Sequence, residues 1–351
     1  MTMRYKLFGS SGLRVSELCL GTLTFGEETG LGAGKEESER VFRAFVEAGG
    51  NFLDTANRYN NGTSEQWTGD FIAGERDRFV VSTKYTLHMR PGDPNAGGNH
   101  RKSMMQAVEG SLRRLRTDYI DLYWLHQWDG TTSVEEVMRA LDDLVRAGKV
   151  LYLGISDTPA WIVSRSNTLA ELRGWTRFVG LQVEYSLIER TVERELVPMA
   201  RALGLAVVPW GALGGGVLTG KYHRAPDPKA PPDTRRARFH AGTERLSERA
   251  FRIAEAVEAA AAELGRTPAQ VALNWVRQQP GQIIPIIGAR TEKQCRENLV
   301  CLDFSLEGKH LERLNEVSHV ALGFPHEFLA MPSMIEMRHG GTQHALDWSR
   351  E

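Results

Sequence analysis

Short apolar runs alternate with amphipathic stretches eight times along the chain, and this alternation restricts the fold more than any other feature. The runs are Glu17–Thr22, Asn51–Ala56, Arg78–Lys84, Tyr119–His126, Val150–Ser156, Val179–Tyr185, Leu205–Gly211 and Ile283–Gly288. Their near-continuous apolar character suits parallel strands covered on both faces. The stretches between them predict helices. Arg101–Leu115 sets Met104, Val108, Leu112 and Leu115 on one face. Ser133–Ala147 opens with an N-cap Ser133 and carries Glu136 at capping-box spacing, and Gly148 stops it. Further helices are expected over 37–48, 64–73, 159–172, 193–203, 248–264, 268–279, 291–301 and 306–318. Eight βα units predict an α/β fold, a (β/α)8 TIM barrel forming one domain over 1–351. An N-terminal hairpin, Arg4 to Val15, turns at Gly9-Ser10-Ser11-Gly12, and extra helices follow the last strand. The Pro- and Arg-rich Tyr222–Arg245 segment reads as a long loop, and the tail from Ala321 shows no clear period. The rival architecture, an open doubly wound sheet, would carry GxGxxG, which the chain lacks.

Composition excludes several function classes. Lys+Arg number 43 against 44 Asp+Glu, a formal charge of −1, so no global electrostatic footprint for nucleic acid or anionic membrane exists. No apolar run approaches the ~20 residues of a spanning helix, and no secretory signal is visible. The three cysteines, Cys19, Cys295 and Cys301, have no metal-site spacing and fit a reducing, cytoplasmic setting. Gly215 to Lys221 matches GxxxxGK, but Tyr222 stands where a Mg²⁺-binding Ser or Thr belongs, which argues against an NTPase. No metal site is expected.

In a barrel, chemistry gathers at the C-terminal ends of the strands. There the chain offers Asp54 with Tyr59 five residues on, Lys84, His126, Ser156-Asp157, Gln182, Trp210, and Gly288 to Arg290. Each has a plain structural role open to it: Asp54 as a cap, Lys84 as a snorkelling surface lysine. Together, an acid, a cation, a phenol and an imidazole from three successive strand ends can converge. Lys84, paired with Asp54, would lower the phenol pKa from about 10. Tyr59 would then donate a proton near neutral pH, and His126 would orient a carbonyl oxygen. No GxSxG elbow or Ser–His pair competes with this arrangement.

These motifs resemble those of the aldo-keto reductase family, specifically the bacterial type related to potassium-channel β subunits. NFLDTANRYNNGTSE (Asn51–Glu65) is similar to the family's Asp-Thr-Ala-x-x-Tyr segment, and STK (Ser82–Lys84) and DYIDLYWLHQWD (Asp118–Asp129) follow in order and spacing. The likeness runs from about Tyr5 to Leu329. It implies a catalytic tetrad of Asp54, Tyr59, Lys84 and His126, and an NADP(H) cofactor held without a Rossmann fold. Ser156, Asp157 and Gln182 would meet the carboxamide, Trp210 would stack on the nicotinamide, and Gly21 and Thr22 would line it. Gly211, Leu213, Gly215 and Lys221 would approach the pyrophosphate. Beyond Gly288, Arg290 would read the adenosine 2′-phosphate, Gln294 would make another cofactor contact, and Glu297 and Asn298 would face the adenine. Phe25 and Trp128, with Tyr59 and His126, would wall the pocket of a small carbonyl substrate.

Three positions depart from the family pattern. Asn60 stands where glycine is usual after the tyrosine, Asp157 where asparagine is common, and Trp210 where tyrosine is common. The resemblance implies NADPH-dependent reduction of an aldehyde or ketone to an alcohol, without a nucleic-acid or membrane partner. A regulatory NADP(H)-binding subunit, like the channel β subunits, is the competing expectation.

Overall fold

The computed structural model describes residues 3–221 and 244–347. Eight parallel strands form a nearly closed barrel: β3 (Cys19–Gly21), β4 (Phe52–Asp54), β5 (Val80–Tyr85), β6 (Ile120–Leu125), β7 (Val150–Ser156), β8 (Phe178–Glu184), β9 (Ala206–Trp210) and β10 (Ile286–Ile287). β3 to β9 pair in sequence order and β10 pairs with β3, while an isolated bridge from Val207 to Ile283 spans the gap between β9 and the approach to β10. The closing strand is short. Its approach carries Pro285, which has no N–H to donate to a ladder. Closure therefore uses both flanks of the proline: Val207 N–H donates to the Gln282 carbonyl (2.8 Å), Ile284 N–H to Val207 (2.9 Å), and Cys19 N–H to Pro285 (3.0 Å).

Strand alternation divides each apolar run between two cores. Phe52, Val80, Leu122, Trp124, Ala206 and Val208 point into the barrel, where they meet Cys19 and Ile284. Their neighbours Leu53, Val81, Tyr123, Leu125, Ile155, Leu181 and Val207 pack outward beneath the helices. Both faces are thus dry, which explains why the sequence runs read as continuously apolar. The last inward residues, at the C-terminal ends, are Asp54, Lys84, Ser156 and Gln182; the same face of the barrel collects them all.

The hairpin, β1 (Tyr5–Leu7) with β2 (Arg14–Ser16), closes the opposite end. Phe8, fully buried, sets its ring edge against Phe52 (5.7 Å between centroids) and Trp124 (6.3 Å). Gly154 and Gly180 make room for it: a Cβ on Gly154 would sit 2.1 Å from the Trp124 ring, and one on Gly180 2.7 Å from Phe8.

Helices α1 (Lys35–Glu47), α2 (Thr63–Ile72), α3 (Arg101–Leu115), α4 (Val134–Arg146), α5 (Ala160–Arg173) and α6 (Leu196–Ala202) alternate with the strands. Ser133 caps α4 by accepting from Glu136 N–H (3.2 Å), but the reciprocal half of the box is absent: the Glu136 carboxylate accepts from Arg101 N–H instead (3.0 Å). Helices α7 (Glu248–Leu264), α8 (Pro268–Arg277), α9 (Glu292–Leu299) and α10 (Lys309–Val317) follow. The tail departs from the sequence expectation. It forms two short helices, α11 (His326–Ala330) and α12 (Pro332–His339), neither with a buried residue. Without a buried face they leave no apolar period to read. Among the described residues no helix is long and apolar enough to cross a membrane. Residues 222–243 of the expected Tyr222–Arg245 loop lie outside the described residues.

Candidate active site

The strand ends bring the four tetrad candidates together at one face. Lys84 is fully buried, and its ammonium donates to Asp54 Oδ2 (2.5 Å) and to the Thr55 carbonyl (2.7 Å). The other Asp54 oxygen accepts from Ser82 Oγ (2.7 Å) and Gln182 Nε2 (3.2 Å). The buried charge pair is therefore saturated with partners, the condition that makes such a pair tolerable. Tyr59 stands in a 3-10 turn just before α2, its ring centroid 4.8 Å from Lys84 Nζ and 5.9 Å from the His126 ring, edge to face.

Sequence alone misjudges the net pull on the phenol. Burial pushes the Tyr59 pKa up, Lys84 offsets this and Asp54 adds to it; the balance lies above the ordinary value. Desolvation outweighs the cation, so the expected lowering is corrected: Tyr59 rests as a neutral phenol, a form that holds a proton to give. Burial and the Lys84 charge depress His126 to about 3. Its imidazole is neutral through the physiological range, and its Nδ1 has no hydrogen-bond partner among the described residues.

Around this group lie the candidate cofactor contacts. Ser156 Oγ is buried and has no hydrogen-bond partner among the described residues. Asp157 follows in a left-handed conformation (φ 41) and accepts from Trp210 Nε1 (3.1 Å). Trp128 is half-buried on the same side, its N–H directed to the Asp157 carbonyl (3.4 Å). Gln182, buried, shares its amide with Asp54. Past Trp210 the backbone turns through Gly211, Gly214, Gly215, Gly216 and Gly220, all with positive φ between 57° and 104°. Only glycine takes these positive-φ conformations at little cost, and the run makes a tight, side-chain-poor turn. Leu213 is half-buried within it, and Lys221 at its end is exposed.

At the far side Arg290 is exposed, with no carboxylate partner among the described residues. Thr291 caps α9, and Gln294 Oε1 accepts from the Arg290 N–H (2.9 Å). The Asn298 amide reaches the Gly288 carbonyl (3.3 Å), while Glu297 is exposed and 3.9 Å from Lys293. An orphaned Ser156 hydroxyl, a glycine-lined turn and a guanidinium without a carboxylate partner among the described residues fit a nicotinamide dinucleotide.

Three of the expected site residues, Phe25, Thr22 and Gly21, have packing roles in the structure. Phe25 is 1% exposed and sets its ring against Phe71 of α2, 5.8 Å away. Its ring packs in the apolar shell between barrel and helices. Thr22 is buried, with its hydroxyl engaged by the Asp54 carbonyl (3.1 Å) and Ser64 Oγ (2.8 Å), so it braces β4. Gly21 serves packing as well: a Cβ there would lie 2.6 Å from Ile286. Sequence reading also missed Glu184 and Arg245. Arg245 forms a bidentate pair with Glu184 (2.7 Å to each oxygen) and lies 5.8 Å from the Trp210 ring. The partners stand 61 residues apart, and no local motif links them.

A (β/α)8 barrel whose strand ends gather a Lys–Asp pair, a phenol and an imidazole defines an oxidoreductase of the aldo-keto type. The aldo/keto reductase family model matches residues 17–319. Norsolorinic acid reductase stcV of Emericella nidulans is 40% identical over 329 residues, 91% of this chain and 82% of that protein. An aryl-alcohol dehydrogenase [NADP(+)] of Phanerodontia chrysosporium is 37% identical, spanning 96% of this chain and 91% of its own length. Aryl-alcohol dehydrogenase GME11368 of Pestalotiopsis microspora is also 37% identical, over 95% and 86%. The chain belongs to the aldo/keto reductase family.

Proposed function

We propose that the protein reduces an aromatic aldehyde or ketone to the corresponding alcohol with NADPH, Tyr59 acting as general acid. The observation that carries this is the buried Asp54–Lys84 pair set beneath the Tyr59 ring, with His126 at its edge. A bound reduced nicotinamide supplies the hydride. The chain's own residues do the rest. His126, neutral and with its Nδ1 free of hydrogen-bond partners among the described residues, orients the carbonyl oxygen. Tyr59 gives its Oη proton to that oxygen as the carbon accepts the electron pair, and the cationic Lys84 stabilises the phenolate left behind. Asp54 keeps Lys84 charged and in place. Ser156 and Gln182 would hold the carboxamide, the glycine turn and Lys221 the pyrophosphate, and Arg290 the 2′-phosphate.

An aromatic substrate is supported by the half-buried Trp128 beside Asp157, and by relatives named for aryl alcohols and norsolorinic acid. Those named relatives are enzymes, which favours catalysis over a regulatory role. The test is Tyr59→Phe. It should reduce the NADPH-dependent turnover of an aromatic aldehyde by at least ~10²-fold, within the usual range for general acid catalysis, while quenching of tryptophan fluorescence reports unchanged NADPH binding. Wild-type turnover in the variant would remove Tyr59 from the role.

A further inference from the structure

Asn60 follows Tyr59 directly, and its backbone is left-handed (φ 47, ψ 45). Asn61 (φ 54) and Gly62 (φ 98) continue the same tight turn into α2. Glycine satisfies such a conformation at least cost, and asparagine is the tolerated exception. Backbone geometry alone would thus be met without a side chain. Yet this side chain is 1% exposed, and it uses every hydrogen-bonding direction it has. Nδ2 donates to the carbonyls of Leu23 (2.8 Å) and Phe25 (3.0 Å). Oδ1 accepts from the Thr29 N–H (3.2 Å) and its hydroxyl (3.1 Å).

All four partners lie in one loop, 23–29, at the end of β3. The loop is shaped to receive the amide. Gly26 (φ 124) faces it, and a Cβ there would approach Asn60 Cβ to 2.6 Å. The loop is itself anchored to the barrel: Thr22 to the Asp54 carbonyl, Thr24 Oγ1 to the Ala289 carbonyl (2.7 Å), and Phe25 through its ring against α2. The turn bearing Tyr59 is fixed downstream by Ser64, whose hydroxyl reaches the Thr22 carbonyl (2.7 Å) and Thr55 Oγ1 (3.0 Å). Between β4 and Ser64, Asn60 supplies four hydrogen bonds from the residue adjoining the phenol.

We propose that Asn60 is a positioning residue, fastening the Tyr59 turn to the 23–29 loop so that the phenol is held over Lys84 and beside His126. This rests on the reading of Tyr59 as general acid. A phenol free to shift would lose alignment with the carbonyl oxygen and with the cation that stabilises its anion. Small misplacements of an acid cost large factors in rate.

The test compares wild type with Asn60→Gly, which keeps the left-handed backbone and deletes all four hydrogen bonds, and with Thr29→Val, which removes one hydroxyl outside the turn. In Asn60→Gly, kcat for an aromatic aldehyde should fall about tenfold while NADPH affinity, read by fluorescence quenching, stays within about twofold. The alkaline limb of the kcat–pH profile should move, because burial of the phenol and its distance from Lys84 together set that pKa. A purely structural role would lower the melting temperature without moving the limb. Amide hydrogen exchange over 23–31 should rise in Asn60→Gly and, by less, in Thr29→Val. Unchanged kcat and pH limb, or unchanged exchange over 23–31, would overturn the proposal. If wild type itself reduces no carbonyl, the acid reading fails on its own, and exchange still decides whether Asn60 fastens the loop.

Discussion

At the scale of single residues, the tetrad candidates were legible for a geometric reason. With period-two alternation, Asp54 follows Phe52 inward, and Lys84 follows Val80 and Ser82. Asp54 and Ser82 are the first polar side chains where the dry interior ends, and Lys84 lies one inward position beyond Ser82. Their electrostatic balance was not legible, because desolvation depends on everything packed around the group; hence the Tyr59 correction. Nor were Phe25, Glu184 or the Asn60 amide, whose partners come from distant segments. His126 yields a pH prediction. Its folded pKa of about 3 lies below the ordinary 6.5. The unfolded chain therefore binds a proton that the folded chain refuses, so the His126 contribution is intact above pH 6.5 and is lost progressively as pH falls towards 3. His126→Gln should flatten the dependence of melting temperature on pH between 6.5 and 4 relative to wild type. Parallel curves would show that the imidazole is not held neutral by burial.

At the scale of elements, strands and most helices followed from pattern because most of their apolar residues are buried on one face or both. The exceptions have local causes. Pro285 truncates the last strand to Ile286–Ile287, and the tail helices bury nothing. Glu136, at capping-box spacing, is drawn away to Arg101 by the packing of α3 beside α4. Strand glycines were visible only as composition, yet two of them decide the barrel interior. A methyl on Gly154 would lie 2.1 Å from Trp124 Cε3 and 2.3 Å from Cζ3, inside a filled core. Gly154→Ala should cost about 1–3 kcal/mol through overpacking, read as a drop of several degrees in the melting temperature. Gly12→Ala, where a Cβ meets nothing within 4 Å, is the matched control and should leave it unchanged. Equal melting temperatures for both variants would mean that Trp124 can repack freely.

At the scale of the whole molecule, a formal charge of −1 conceals a division between two ends of the barrel. The mouth carries Lys84, Lys221 and Arg290, and the floor is fastened by a buried carboxylate. Glu17, 1% exposed, accepts from the Arg4 backbone N–H (3.1 Å), the Arg4 guanidinium (3.0 Å) and Arg277 Nη1 (2.9 Å). It joins the hairpin to α8, and Arg277 in turn reaches the Cys301 (3.3 Å) and Phe304 (3.1 Å) carbonyls. Burial alone would raise the Glu17 carboxyl, but the two arginines hold it below its usual 4.5. Stability from this group is therefore complete above about pH 4.5 and declines as pH falls through the lower, folded value. The two arginines are unequal partners. The Arg4 side chain is 72% exposed, so Arg4→Ala should cost no more than ~1 kcal/mol. Glu17→Gln strands Arg277 in the interior and should cost roughly 3–5 kcal/mol. It should also abolish the acid-dependent share of stability that Glu17 provides. Because the floor lies opposite the tetrad, NADPH binding by Glu17→Gln below its melting temperature should match wild type. Denaturant unfolding of both variants at pH 7 and pH 4 decides it: equal losses for Arg4→Ala and Glu17→Gln would show that the carboxylate is not the clasp between hairpin and helix shell.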